Sequence, residues 1–223
     1  MKILDEPIEK YIKNCSPYFD GVLGEIQKES TDKNIPIVPP EIARFMATLM
    51  SMKRPEKILE IGCAVGFSTA LMCRYLRDDG KITTIERHSG MIQNAKLNFK
   101  RLQIEDKVIL LEGDAIDILP AIKERYDVIF LDSAKGQYLH LLPFCLKLLN
   151  VGGIFLVDDV LQKGRTVQDT ADVVKRQRTI HKRMNLFISE VINNPALESS
   201  IVPLDDGMLV ATKTKEIEGV YEY

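Results

Sequence analysis

The sequence predicts an α/β fold: a doubly wound parallel sheet of five strands, extended to seven strands by a hairpin near the C-terminus. From residue 57 onward, short runs rich in Val, Ile and Leu alternate with segments long enough to be helices. Nearly continuous apolar runs indicate strands covered on both faces, and strict alternation of strand and helix builds a parallel sheet. The five runs are KILEIG (57–62), KITTIE (81–86), KVILLEGD (107–114), YDVIFLD (126–132) and GGIFLVDD (152–159).

Helices are predicted between the strands and before the first of them. Those between strands lie near 67–78, 88–102, 114–122 and 136–149. Residues 1–54 form a helical extension, with helices predicted at 5–14, 17–32 and 39–53. Because a chain of 223 residues suits one large α/β domain, we interpret 1–223 as a single domain that includes this extension.

The end of the chain differs from the alternating part. A long helix is predicted near 167–192, and two strands follow it at 199–204 and 207–213. Only Asp205 and Asp206 join these strands, so the connection permits an antiparallel hairpin and no crossover helix. Five alternating strands and a terminal hairpin favour a methyltransferase-type sheet over a standard dinucleotide-binding fold.

Composition argues against several classes of protein. The first residues include acids and lack the apolar core of a signal peptide, and no stretch approaches the ~18 consecutive apolar residues of a transmembrane helix. The four cysteines lack the spacing of zinc ligands, which favours free thiols. We therefore expect a cytoplasmic protein without a membrane partner.

A turn containing two glycines follows the first predicted strand. The run ILEIGCAVGFST places Gly62 and Gly66 where the backbone can approach a ligand closely and the next helix offers N–H donors. Its G-x-x-x-G spacing differs from the G-x-G-x-x-G of NAD-binding proteins. Glu60 would repel a pyrophosphate but can accept from the ammonium of a methionine moiety, and Ser68 can donate to that moiety's carboxylate. The turn favours S-adenosylmethionine (SAM), although it does not by itself exclude a nucleotide.

Further polar positions follow the second and third strands. Glu86 lies about 20 residues beyond the glycine turn, where an acid binds ribose hydroxyls in nucleotide-binding folds. Asp114 and Ala115 follow the third strand, at the mouth where an adenine edge would lie. Either acid alone is as well explained by a helix N-cap. Their order at successive strand ends supports a cofactor site.

Three carboxylates follow the fourth and fifth strands: Asp132 after one, and Asp158 and Asp159 after the other. Ligand sites of open α/β sheets lie outside these strand ends. Carboxylates that converge there repel one another unless a cation is bound, and oxygen ligands favour Mg²⁺, or Mn²⁺ or Ca²⁺, over zinc. Such an ion could chelate two neighbouring substrate oxygens, lower the pKa of a hydroxyl and orient it towards a methyl group.

Lys135 lies three residues beyond Asp132. Near a metal ion and partly removed from water, the lysine should have a lowered pKa, so that it could take the hydroxyl proton as general base. The alternative interpretation is a solvated lysine at the start of a helix.

Together these motifs resemble the cation-dependent O-methyltransferases, the group of catechol and caffeoyl-coenzyme A O-methyltransferases. The resemblance extends from Val38 to Lys213 and rests on E-x-G-x-x-x-G-x-S at 60–68, Glu86, D-x-x-K-x-x-Y at 132–138 and Asp158-Asp159. It implies a Rossmann-like, class I SAM-dependent methyltransferase fold and a homodimer. By the resemblance, Asp132 and Lys135 are catalytic, the metal ligands are Asp132, Asp158 and Asp159, and the cofactor contacts include Val38, Ser68, Glu86, Asp114, Ala115 and Asp132. The family usually has Asn where this chain has Asp159, which leaves the metal preference open.

A basic segment follows the paired aspartates. Residues 163–183 contain Lys163, Arg165, Lys175, Arg176, Arg178, His181, Lys182 and Arg183. Only Asp169 and Asp172 oppose them. An apolar stripe at helical spacing in the same segment predicts that the basic side chains are exposed. They form either an ordinary solvated face or a surface for a phosphate backbone.

The stretch RQRTIHKRMNLF and the ending IVPLDDGMLVATK resemble bacterial family members that act on tRNA. Those enzymes methylate the 5-hydroxyl of 5-hydroxyuridine at the wobble position, which gives 5-methoxyuridine. The 5-hydroxyl and O4 are neighbouring oxygens, like those of a catechol, and an anticodon loop presents an accessible base. The leading hypothesis is a tRNA 5-hydroxyuridine methyltransferase whose RNA-binding residues are Lys163, Arg165, Arg176, Arg178, Lys182 and Arg183.

Three alternatives stay open. A methyltransferase of a small catechol would share every cofactor and metal residue. An NAD-dependent oxidoreductase is disfavoured by the glycine spacing. A non-catalytic binding protein fits poorly with the combination of Asp132, Lys135 and Asp158.

Overall fold

The computed structural model of the chain describes residues 3–217. These residues form two compact units, one from Glu6 to Ala115 and the other from Ile116 onward together with residues 3–5. Across the described range, no helix is both long enough and apolar enough to span a membrane. A compact unit is not necessarily a domain that folds alone. The division into two units therefore leaves the single domain expected over 1–223 as a prediction.

The unit Glu6–Ala115 begins with three helices and continues as alternating strands and helices. Its helices are α1 (Glu6–Asn14), α2 (Gly21–Asp32), α3 (Pro40–Lys53), α4 (Phe67–Cys73) and α5 (Ser89–Leu102). Its strands are β1 (Lys57–Ile61), β2 (Lys81–Glu86) and β3 (Val108–Glu112). β2 pairs in parallel with β1 on one side and with β3 on the other. Because Ile61 aligns with Ile85 and Glu86 with Glu112, the carboxyl ends of the three strands lie at one edge.

The start of α2 differs from its prediction. The helix begins at Gly21 rather than at residue 17. Arg44 on α3 donates to the carbonyls of Pro17 and Tyr18, each at 2.8 Å, and this holds the segment outside the helix. α3 itself begins at Pro40, where a missing N–H costs nothing.

The unit that follows contains the remaining strands. Its helices are α6 (Ala115–Ile118, which joins the two units), α7 (Tyr138–Leu148) and α8 (Arg178–Ile192). Its strands are β4 (Tyr126–Leu131), β5 (Leu149–Val157), β6 (Leu197–Val202) and β7 (Met208–Lys213). They lie in the order β4-β5-β7-β6, with β4 parallel to β5 and the other pairs antiparallel. The predicted α/β class with seven strands and a terminal antiparallel hairpin is confirmed.

The long helix predicted near 167–192 is wrong in its first part, because α8 begins only at Arg178. Ahead of it, the Asp169 carboxylate accepts from the Ala171 N–H at 3.0 Å. The Arg178 guanidinium donates to the carbonyls of Ala171 at 2.7 Å and Val173 at 2.8 Å. These side chains give backbone groups partners outside a helix and so compete with helix formation.

The hairpin connection is longer than predicted. β6 ends at Val202 and β7 begins at Met208, so residues 203–207 connect them rather than Asp205 and Asp206 alone. The loop closes through a hydrogen bond from the Gly207 N–H to the Leu204 carbonyl at 2.8 Å. Asp205 (φ 46°) and Gly207 (φ 81°) adopt left-handed conformations there, which differ from the extended backbone of a strand.

An aromatic cluster fixes α8 against the sheet. Phe187 on α8 lies 5.6 Å from the Tyr138 ring on α7 and 6.4 Å from the Phe155 ring on β5, centroid to centroid. All three side chains are buried. Tilted aromatic pairs at these distances contribute beyond simple burial, so α8 has a defined position beside α7.

Candidate active site

The turn after β1 is shaped by successive left-handed residues. Gly62 (φ 95°), Ala64 (φ 46°) and Gly66 (φ 82°) all have positive φ. The Gly62 N–H donates to the Ile85 carbonyl at 2.9 Å, which ties the turn to β2. A Cβ on Gly66 would collide with the Phe99 ring of α5. The predicted close turn therefore exists, and glycine at 66 is required both by conformation and by space.

Replacing Gly66 with alanine should destabilise the protein. We expect the free energy of unfolding to fall by about 1–3 kcal/mol, because a left-handed alanine is strained and its methyl group meets Phe99. Gly90, on α5, has only the His88 ring near its Cβ position, at 3.9 Å, and serves as the matched control. Denaturant unfolding should show Gly90→Ala unchanged or stabilised by about 0.4–1 kcal/mol. Equal stability of the Gly66→Ala and wild-type proteins would contradict this account of the turn.

Glu60 lies in the interior of its unit rather than at the surface of the turn. Its side chain is fully buried, and its carboxylate accepts from the Thr84 hydroxyl at 2.7 Å and from the Thr69 hydroxyl. Burial raises the pKa of the Cys73 thiol to about 12, and the charge of Glu60 contributes in the same direction. Sequence reasoning missed both threonines, although Thr84 at an inward-facing position of β2 was a signal. The predicted contact of Glu60 with a methionine ammonium stays a prediction.

Glu86 joins the ends of β1 and β2. One carboxylate oxygen accepts from the Ala64 N–H at 3.0 Å, and the other accepts from the N–H groups of Arg87 at 2.9 Å and His88 at 2.8 Å. Asp114, beyond β3, forms an ion pair with Arg87 at 2.9 Å. The structure thus brings the glycine turn, Glu86 and Asp114 to one edge of the sheet, as predicted from strand order. Arg87 was missed, and no spacing rule identified it.

The remaining predicted cofactor residues are mostly buried. Val38, Ser68 and Ala115 are each less than one-tenth exposed. Val38 lies in the segment before α3 and Ser68 in the first turn of α4. Their predicted contacts with a cofactor stay predictions.

The three predicted carboxylates follow paired strands. Leu131 at the end of β4 aligns with Val157 at the end of β5, and the Asp158 N–H donates to the Leu131 carbonyl at 3.1 Å. This pairing brings Asp132 and Asp158 to one edge. Asp158 is only 4% exposed, and its carboxylate accepts from the Asp159 N–H at 2.9 Å. Burial raises the pKa of Asp158, and the charges of Asp132 and Asp159 raise it further.

Lys135 neutralises part of this cluster. Its ammonium lies 2.6 Å from Asp159 Oδ2 and 3.3 Å from Asp132 Oδ1. Burial alone lowers the pKa of Lys135, but Tyr138, Asp132 and Asp159 outweigh burial and hold that pKa above its ordinary value. The predicted lowering of this pKa depends on a bound metal ion and stays a prediction. The alternative of a solvated lysine fits poorly, because about three-quarters of the side chain is buried.

The three carboxylates suit a hard cation in their chemistry but are not preassembled around one. Within residues 3–217, no three Asp, Glu, His or Cys side chains are arranged to hold a metal ion. The Lys135 ammonium instead bridges Asp132 and Asp159. All donors are carboxylate oxygens, the ligand type that Mg²⁺, Mn²⁺ and Ca²⁺ prefer. Metal binding at Asp132, Asp158 and Asp159 stays a prediction.

The predicted basic residues divide into two groups. Lys163, Arg176 and Lys182 are exposed. The other three donate hydrogen bonds within the protein, although Arg178 and Arg183 are exposed as well: Arg178 to the carbonyls of Ala171 and Val173, Arg165 to Gln177 Oε1 and Arg183 to the Gly136 carbonyl. These three guanidinium groups keep their charge but use part of their hydrogen-bonding capacity inside the protein.

His181 does not belong to the exposed basic surface. The side chain is only 3% exposed, with its ring nitrogens near the Thr170 hydroxyl at 3.4 Å and the Asn185 amide at 3.1 Å. Its position on the inner side of α8, one turn before Asn185, explains the burial. Grouping it with the exposed basic residues is therefore wrong.

Comparison with known proteins identifies the family. Residues 13–214 match the family model described as O-methyltransferase. The chain is 27% identical over 217 residues to a catechol O-methyltransferase of Niastella koreensis, covering 92% of this chain and 96% of that protein. It is 25% identical over 223 residues to a caffeoyl-CoA O-methyltransferase of Populus kitakamiensis, covering 93% and 94%. The SAH-bound structure of Podospora anserina PaMTH1 matches with a TM-score of 0.81 at 24% identity, covering 94% and 95%, which shows a common fold.

The chain therefore belongs to the O-methyltransferase family. The predicted class, a SAM-dependent O-methyltransferase of the catechol and caffeoyl-CoA type with a Rossmann-like fold, is confirmed at this level. The substrate, the metal ion and the homodimer stay predictions.

Proposed function

We propose that this O-methyltransferase methylates the 5-hydroxyl of 5-hydroxyuridine at the tRNA wobble position, with SAM as methyl donor and Mg²⁺ as the metal cofactor. One observation carries the choice of RNA: the basic helix α8 contacts the turn that bears Lys135. Arg183 Nη1 donates to the Gly136 carbonyl at 3.2 Å, and Ile180 approaches the same glycine. A basic side chain of α8 thus borders the turn that carries Lys135.

The methyl donor would bind at the carboxyl ends of β1, β2 and β3. Glu86 already accepts three backbone N–H groups, and the oxygen that accepts only from Ala64 retains a lone pair that can accept a ribose hydroxyl. Buried Glu60 places negative charge next to the glycine turn, which favours a cationic group over a pyrophosphate. The geometry of this edge supports SAM and disfavours NAD.

Asp132, Asp158 and Asp159 would hold the cation. A bound divalent ion supplies Lewis-acid chemistry that lowers the pKa of a substrate hydroxyl and fixes its orientation. The Lys135 ammonium contacts one oxygen of Asp132 and one of Asp159, so the cation would compete with it for these carboxylates. A divalent ion beside it would lower the pKa of Lys135, so that the ammonium releases its own proton to water; the neutral amine could then accept the proton of a hydroxyl at the same edge.

The exposed basic residues fit a phosphate backbone. Arg176 lies just ahead of α8, Lys182 lies in its second turn, and Lys163 lies in the turn that follows Asp159. Residues 163–183 contain only two acidic residues, Asp169 and Asp172. A single-stranded anticodon loop can present a flipped base to the carboxylate edge while such side chains contact its phosphates.

The first experiment offers labelled SAM and Mg²⁺ to the enzyme with tRNA from cells that lack the native wobble methyltransferase. A parallel reaction contains a simple catechol, and EDTA is added to matched samples of both. Label recovered from tRNA as 5-methoxyuridine, and lost with EDTA, supports the proposal. Label confined to the catechol would overturn the RNA assignment while leaving the O-methyltransferase class intact.

Reversing two charges should weaken tRNA methylation selectively. The double variant Arg176→Glu, Lys182→Glu should raise KM for tRNA by about tenfold or more, because contacts to phosphate dominate nucleic-acid affinity. The salt dependence of binding should flatten by about two units of log–log slope, one per lost contact. Lys123→Glu, an exposed lysine ahead of β4, is the matched control. An unchanged KM and slope in the double variant would mean that α8 does not contact RNA.

A small catechol is the second candidate substrate. The 27% identity to a catechol O-methyltransferase over most of the chain favours it. So do the internal hydrogen bonds of Arg165, Arg178 and Arg183, which reduce the number of N–H donors available to RNA phosphates. This candidate predicts turnover of catechols at low concentration and indifference to the charge reversals.

A further inference from the structure

The turn after β5 has an unusual backbone. Asp159 (φ 58°), Gln162 (φ 50°), Lys163 (φ 56°) and Gly164 (φ 76°) all adopt left-handed conformations. Three of these residues carry a side chain, for which that region is unfavourable. Such a conformation persists only where the surrounding structure over-determines it, and it occurs most often at functional sites. Contacts from outside the turn must therefore hold it in this conformation.

The loop between β6 and β7 supplies those contacts. The Asp206 carboxylate accepts from the N–H of left-handed Lys163. The Asp206 carbonyl accepts from the Leu161 N–H at 2.9 Å, and the Gly207 carbonyl accepts from the Val160 N–H at 3.0 Å. A Cβ on Gly207 would collide with Leu161, so the two backbones pack directly together. One residue, Asp206, thus binds the turn both through its side chain and through its main chain.

The turn leads directly to the carboxylate cluster. Asp159 is its first left-handed residue, and Asp159 Oδ2 lies 2.6 Å from the Lys135 ammonium. Burial raises the pKa of Asp206, the Lys163 N–H opposes that shift, and the charge of Asp159 raises the pKa further. Asp206 accepts from the Leu161 and Lys163 N–H groups, and these hydrogen bonds hold the turn that begins at Asp159.

We propose that Asp206 is a positioning residue for methyl transfer: by holding the Lys163 N–H, it fixes the turn that presents Asp159 to Lys135. The importance of Asp159 in the reaction rests on the proposed function, whereas the structural link from Asp206 to the turn does not. Asp206 acts through the backbone of 160–163: its carboxylate accepts from the Lys163 N–H and its carbonyl from the Leu161 N–H. Its requirement is an acceptor oxygen rather than a negative charge.

Hydrogen–deuterium exchange tests the link independently of activity. In Asp206→Ala, amides of residues 160–163 should exchange about tenfold faster or more, because the Lys163 N–H loses its acceptor. Asp206→Asn keeps an acceptor oxygen and should stay within about twofold of the wild type. Asp205→Asn removes the same charge from the neighbouring residue and serves as the control. Unchanged exchange in Asp206→Ala would overturn the proposal.

Kinetics separate positioning from general support of the fold. With whichever acceptor the wild-type enzyme methylates, Asp206→Ala should lower kcat by about 10–100-fold, the usual effect of losing a partner behind a site residue. The Kd for SAM should not change, and Asp206→Asn should restore most of the lost kcat. Loss of activity equal in both variants, or a parallel loss of SAM binding, would refute a positioning role. A wild-type enzyme inactive on both tRNA and catechol would refute the proposed substrates, and the exchange result would still decide the role of Asp206.

Discussion

Asp158→Asn should lower methyl transfer by about a thousandfold, because a bound cation supplies several kcal/mol of stabilisation to the developing charge. The asparagine keeps the oxygen that accepts the Asp159 N–H, so the local backbone is preserved. Only the charge of a nearly buried side chain, the proposed metal ligand, is lost. The measurement is the initial rate of transfer from labelled SAM over a range of Mg²⁺ concentrations. Asp132→Ala should have an effect of similar size.

Stability measurements distinguish this loss from unfolding. Asp158 is buried close to two other carboxylates, both of which make its charged form less favourable. Without a metal ion, the neutral asparagine should therefore leave the free energy of unfolding equal to that of the wild type or higher. Asp172→Asn removes an exposed charge from the same unit and should change neither activity nor stability. Full activity of Asp158→Asn at every Mg²⁺ concentration would remove Asp158 from the metal site.

The fold was predictable because hydrophobic pattern and chain order carry it. Five apolar runs alternating with helices left little choice but a parallel sheet, and the closely spaced final strands could only form a hairpin. The errors arose where side chains compete with regular structure. The Arg178 guanidinium and the Asp169 carboxylate take up backbone groups that a longer α8 would have used. No periodicity in the sequence reports such bonds.

The positions of the candidate residues at the strand ends were predictable, whereas their interactions were less so. Strand ends placed Glu86, Asp132 and Asp158 at sheet edges, because parallel strands deliver their carboxyl ends to one side. The partners of these residues depend on tertiary contacts. Asp159, which pairs with Lys135, begins the left-handed turn after β5, and that turn is hydrogen-bonded to a loop more than 40 residues further along the chain. The hydrophobic pattern within a single strand or helix contains no signal for a contact between such distant segments.

Lys135→Met should lower turnover by about 10²–10⁴-fold, the range expected for loss of a general base, with little change in the Kd for SAM. Lys135→Arg separates two roles of the lysine: neutralising the carboxylates and transferring a proton. Arginine can still neutralise Asp132 and Asp159, but it does not release its proton under ordinary conditions. If Lys135 takes the hydroxyl proton, both variants should be impaired to a similar extent.

The comparison of the two variants decides what the ammonium does. An arginine variant that keeps activity within about fivefold of the wild type would show that Lys135 only balances charge, since proton transfer normally contributes at least about 10²-fold. Lys147→Met, an exposed lysine on α7, is the control and should behave as wild type. Removing the Lys135 charge leaves Asp132, Asp158 and Asp159 without their nearest cation. Lys135→Met should therefore bind Mg²⁺ more tightly than the wild type while its turnover falls. Unfolding, or loss of the proposed metal site, would instead weaken Mg²⁺ binding and turnover together.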